Sequence, residues 1–71
     1  MTLDEKLEFV EKVLHEPEYS LAEDTLLNTL EGWESLNIVN LEMELIARGI
    51  TVGQEKLIKC TTVGELCSLI D

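Results

Sequence analysis

The chain has 71 residues, 45% hydrophobic and 28% charged, which is enough for one domain around one small core and leaves no second domain to enclose a substrate cleft. Fifteen acids against five Lys and Arg give a formal net charge of −10, which opposes binding to nucleic-acid backbones or anionic membranes and favours basic protein partners. No apolar run is long enough to span a bilayer, and Met1-Thr2-Leu3-Asp4-Glu5-Lys6 places acids where a secretory signal would begin basic, so a cytoplasmic monomer is expected.

The first element opens with a capping box, Thr2 at the cap and Glu5 three residues on, and sets Leu3, Leu7, Val10 and Leu14 on one helical face. Phe9 and Val13 widen that face, while Glu5, Glu8, Glu11 and Lys12 are available for the solvated one. Pro17 stops the helix because it disfavours helical geometry at Glu16, and His15 sits at the negative end of the helix dipole. From about Glu18 to Trp33, turn-prone Ser20, Asp24, Asn28 and Gly32 alternate with Leu21, Leu26, Leu27 and Leu30, which predicts a long loop pinned by leucines. Trp33 is either a packing anchor for that loop or an aromatic platform for a ligand.

A second helix is expected from Ser35, a preferred capping residue after the break at Gly32, through Arg48, with Gly49 ending it. Val52, Leu57, Ile58 and Cys60 belong to a short third segment after Gly53. The last helix starts at a second capping box, Thr62 and Glu65, with Val63, Leu66, Cys67 and Ile70 on one face. No strand pattern competes. The expectation for residues 1–71 is a single all-α domain, a small four-helix bundle of three longer helices and one short one, with a long loop between the first two.

Projected at about 100° per residue, the second helix has two apolar stripes. Ile38, Leu41 and Leu45 form one, and Leu36, Val39, Met43 and Ile46 lie roughly opposite. A domain this small can bury the first against Leu7, Val10, Leu14, Leu66 and Ile70. The second is either covered by the loop or exposed as a docking surface, with Met43 either core filler or an adaptable contact. Ser35 projects beside the second stripe, where a helix start offers unpaired N–H groups to a phosphate ester; alternatively it is a plain cap.

The run Leu30-Glu31-Gly32-Trp33-Glu34-Ser35-Leu36, followed by an apolar helix, resembles the phosphopantetheine-attachment motif of acyl and peptidyl carrier proteins, usually Gly-x-Asp-Ser-Leu. The form with Trp before the acid is similar to carriers of the polyketide and nonribosomal-peptide type. Asp24-Thr25-x-Leu27 in the loop and Thr61-Thr62-Val63-x-x-Leu66 at the last helix extend the resemblance over nearly the whole chain. It implies that Ser35 receives 4'-phosphopantetheine from coenzyme A through a separate phosphopantetheinyl transferase. The arm would then carry acyl or aminoacyl groups as thioesters, loaded by a ligase or synthase with basic docking patches. The chain would not itself be an enzyme. Glu34, Leu36, Val39, Glu42 and Met43 would form the docking surface, and Glu34 stands where the family usually has Asp. Asn37 and Asn40 stand where many fatty-acid carriers have acids, so the docking charge would rest on Glu34, Glu42 and Glu44.

Other classes fare worse on the residues alone. Cys60 and Cys67 are seven apart with no second cysteine pair and no nearby histidine, so they read as small core residues and no metal site is expected. A hydrolytic role for Ser35 lacks a base, an orienting group and an enclosed pocket. The alternative of a different class is an unmodified acidic adaptor with a degenerate carrier fold. Glu34, Glu42 and Glu44 are expected to serve chiefly encounter with basic partner enzymes and to add little to folding.

Overall fold

The computed structural model describes residues 1–70. Four helices follow in order: α1 Leu3–Leu14, α2 Ser35–Ala47, α3 Gln54–Ile58 and α4 Val63–Ser68, with a single 3₁₀ turn at Leu27–Thr29 in the first loop. The architecture is the expected small helical bundle, but with two long helices and two short ones. The capping box of α4 fixes where that helix begins, not how far it runs. Its last turn tightens, with Leu69 N–H bonding Leu66 O and Ile70 N–H bonding Cys67 O, and the Ser68 hydroxyl takes the Glu65 carbonyl.

Both capping boxes form. Thr2 and Glu5 exchange side-chain to backbone hydrogen bonds at the start of α1, and Thr62 and Glu65 do so at α4, where the Glu65 carboxylate also accepts from the Thr61 hydroxyl. These donors hold both carboxyls below their ordinary pKa, chiefly the Thr2 backbone N–H for Glu5 and the Thr61 hydroxyl for Glu65. α2 ends as expected at Gly49, whose φ of 81° allows its N–H to reach Ile46 O while Ile50 N–H reaches Leu45 O. α1 ends the same way, but with His15 in the left-handed position at φ 60°, so the histidine's backbone closes the helix.

The core draws on every element: Phe9, Val10 and Leu14 from α1, Leu21 and Leu27 from the loop, Ile38, Leu41 and Leu45 from α2, Leu57 from α3, and Val63, Leu66 and Cys67 from α4. Cys60 and Ile70 join it, and Leu7, Leu30 and Trp33 pack against it half-buried. Leu3, expected on the apolar face of α1, is exposed instead, and so is Ile58 of α3.

Glu11 is the largest departure on α1. It was expected on the wet face, yet it is 4% exposed and its two carboxylate oxygens accept the N–H groups of Tyr19 and Leu21 at 3.2 and 3.1 Å. The carboxylate turns inward because the loop after Pro17 brings two otherwise unpaired backbone donors to it. The loop is tied down at its far end too. Leu27 N–H bonds Thr61 O, Val63 N–H bonds Thr25 O, and Gly64 N–H bonds Glu23 O, an antiparallel contact beside Leu26 and Thr62.

Candidate functional site

α2 is where the candidate residues meet. Its core stripe is Ile38, Leu41 and Leu45, all buried in the cluster that also holds Val10, Leu14, Leu66 and Ile70, with Leu7 half-buried against it. The opposite stripe faces solvent: Leu36 is 65% exposed, Met43 62% and Ile46 55%, with Val39 half-buried. The loop does not cover it.

Ser35 is exposed and is the first helical residue of α2, not its cap. Glu34 caps the helix, its carboxylate accepting the Asn37 N–H at 2.7 Å. Serine is the commoner cap, but Glu34 already occupies the extended backbone position that a cap requires, at φ −142° and ψ 168°. The Ser35 hydroxyl therefore has no structural bond to serve, and no described residue partners it. Glu34 also accepts the Ile38 N–H through its carbonyl, which leaves the Ser35 and Leu36 N–H groups as donors for an anion at this helix start. A phosphate ester on Ser35 fits that donor set.

Two residues outside the expected docking surface set this geometry. Asn37 does not extend the surface. It is buried, and its amide donates to the Gly32 carbonyl at 2.9 Å. Gly32 passes so close to the end of α1 that a Cβ on it would stand 2.0 Å from the Leu14 carbonyl oxygen. The glycine thus presses the loop onto α1, and its carbonyl, also taken by the Glu34 N–H at 3.0 Å, positions the first turn of α2. A Gly three residues before a helix-start Ser was visible in the sequence, but its steric partner was not.

The glutamates near Ser35 differ in what they do. Glu34 is part of the fold through its cap, which corrects the expectation that these acids add little to folding. Glu42, half-buried, accepts a hydrogen bond from Gln54 of the α3 start at 3.0 Å. Glu44 has no such partner among the described residues. Arg48, the base within its helical reach, lies over the Phe9 ring with the guanidinium 4.6 Å from the centroid.

Cys60 and Cys67 are buried and unpaired, and desolvation pushes both thiols above their ordinary pKa. Among the described residues, no three His, Cys, Asp or Glu side chains gather as a metal site would require. No helix of the described residues is long and apolar enough to cross a membrane. No family model, no curated protein and no solved structure significantly matches the chain.

Proposed function

We infer that this chain is a cytoplasmic acyl or aminoacyl carrier, with Ser35 bearing a phosphopantetheine arm. The observation that carries the reading is the division of labour at the start of α2. Glu34 caps the helix, so the exposed Ser35 hydroxyl is left unspent beside an uncovered apolar row.

In the modification, the Ser35 oxygen attacks the phosphorus of coenzyme A that bears the pantetheine. A phosphodiester forms, the bond to adenosine 3',5'-bisphosphate breaks with the electron pair leaving on that group, and the hydroxyl proton passes to a base of the transferase. The Ser35 and Leu36 N–H groups would be available to hold the phosphate, and the positive end of α2 would favour it. When attached, the arm supplies a thiol on which cargo rides as a thioester. The chain's own part is presentation: Leu36, Val39 and Met43 offer apolar contact, while Glu34, Glu42 and Glu44 attract basic patches on phosphopantetheinyl transferase and loading enzymes.

Intact mass after incubation with coenzyme A and a promiscuous phosphopantetheinyl transferase tests this. The expected result is a gain of one phosphopantetheinyl group per chain, absent in Ser35→Ala. A folded parent protein that gains nothing would overturn the carrier reading in favour of an unmodified acidic adaptor.

A further inference from the structure

Asn37 closes a ring of hydrogen bonds around Ser35. The Gly32 carbonyl accepts the Glu34 N–H at 3.0 Å and the Asn37 side-chain amide at 2.9 Å, and the Glu34 carboxylate accepts the Asn37 N–H at 2.7 Å. The ring is anchored, because Gly32 leaves no room for a Cβ against the Leu14 carbonyl at the end of α1. Ser35 contributes to none of the three bonds but sits between residues that do. Its backbone is thus held from both sides while the residue stays exposed.

Two local preferences run against asparagine here. Position 37 is the third residue of α2, at the positive end of the helix, where an acid is favoured and asparagine is a poor helix former. An acid would also add to the negative surface that attracts basic partners. The Gly32 carbonyl decides otherwise: it takes a donor, which the asparagine amide supplies and a carboxylate lacks. Asn37 is 8% exposed, so that bond is shielded from water. Helix ends are where fraying begins, and misplacing a reacting group by about an ångström can cost about a hundredfold in rate. A tie that holds the first turn of α2 to the loop therefore bears directly on the Ser35 oxygen.

We propose that Asn37 is a positioning residue for phosphopantetheine transfer: its amide, through the Gly32 carbonyl, holds the first turn of α2 so that the Ser35 oxygen is presented for attack on the phosphorus of coenzyme A. The inference rests on Ser35 being the attachment point. A positioning role and a docking-charge role give opposite signs for one substitution. Asn37→Asp adds an acid beside Ser35 but removes the donor, Asn37→Ala removes the donor alone, and Asn40→Asp adds an acid at an exposed position of the same helix. Transfer from coenzyme A by a promiscuous phosphopantetheinyl transferase is followed by intact mass, below the melting transition of each variant. The kcat of both Asn37 variants is expected to fall about tenfold, with KM for the protein unchanged or lower, while Asn40→Asp keeps the parent kcat. A purely structural role would lower Tm and leave the kcat of the folded protein unchanged. Asn37→Ala, with the better helix former, keeps the test valid if the aspartate disturbs folding. Without any transferase, the α-carbon NMR shifts of Glu34, Ser35 and Leu36 in Asn37→Ala should move toward random-coil values. An Asn37→Asp protein that matches or exceeds the parent kcat, or unmoved α-carbon shifts in Asn37→Ala, overturns the proposal. A folded parent that accepts no phosphopantetheine would instead count against the carrier reading, and the shifts would still decide whether Asn37 orders Ser35.

Discussion

Gly32→Ala tests whether the loop is pressed onto α1 as tightly as the geometry states. Gly32 is not in the left-handed region, so alanine suffers no backbone strain there and the whole effect is steric. The new Cβ would meet the Leu14 carbonyl oxygen at 2.0 Å, with the Leu14 carbonyl carbon at 3.0 Å, and both are backbone atoms that no rotamer change can move. Relief needs a shift of more than an ångström between the loop and α1. That shift would pull the Gly32 carbonyl from the Asn37 amide and the Glu34 N–H. Overpacking of this kind costs about 3 kcal/mol, and the smaller freedom of alanine in the unfolded chain returns roughly 0.5–1 kcal/mol, leaving about 2 kcal/mol. Against a total stability of about 4–10 kcal/mol for a chain of this size, the Tm should fall by roughly 8–16 °C. Urea unfolding followed by circular dichroism measures the loss, and the rate of phosphopantetheine transfer should drop with it because the first turn of α2 moves. Gly53→Ala is the control, since nothing stands within 4 Å of a Cβ there. A Gly32→Ala protein within 0.5 kcal/mol of its parent would refute the argument, and with it the view that this glycine sets the start of α2.

Glu11→Ala should cost about 2–4 kcal/mol, because it strands the N–H groups of Tyr19 and Leu21, and Glu11→Gln should cost less; chemical denaturation checks both, and an exposed-glutamate effect near zero would contradict the inward carboxylate. Glu5 and Glu65 have folded pKa values below their unfolded ones, so the stability they add is present above the ordinary carboxylate range and is lost as the pH falls through their lowered folded values. Glu65→Gln should accordingly flatten the acid limb of a stability-against-pH curve, and an unchanged limb would show that the capping box does not titrate with the fold. Among the acids of α2, Glu44→Gln should leave the Tm equal or higher while slowing phosphopantetheine transfer, whereas Glu34→Ala should lower stability by about 1 kcal/mol through its cap. Transfer by the parent should also slow as salt rises, and a rate indifferent to salt and to Glu44 would assign recognition to Leu36, Val39 and Met43.

Local chemistry was the legible part of the sequence. Thr2 with Glu5, Thr62 with Glu65, and Gly49 announce helix ends through bonds made within a few residues, and the structure forms all three. The core stripe of α2 was readable because helical periodicity alone separates Ile38, Leu41 and Leu45 from Leu36 and Met43. What stayed hidden depends on groups distant in the chain. Glu11 looked solvated because its partners lie eight and ten residues on in a loop without periodicity, and Gly32 showed no sign of Leu14 beneath it. At the candidate site the position of Ser35 was legible, but its freedom was not. That freedom follows from Glu34, a residue type less often used as a cap, standing in the extended conformation just before it.

The strip of contact between the first loop and the start of α4 gives the chain an unusual mechanical wiring. α4 has six residues, too few to persist as a helix alone, and two of its first amides, Val63 and Gly64, are satisfied by the loop carbonyls of Thr25 and Glu23. The loop in turn borrows the Thr61 carbonyl for Leu27. Neither segment has a conformation of its own to fall back on, so they form and melt as one cooperative unit. A partner that grips the loop near Leu26 therefore pulls directly on the opposite end of the polypeptide, through three backbone hydrogen bonds and without passing through either long helix.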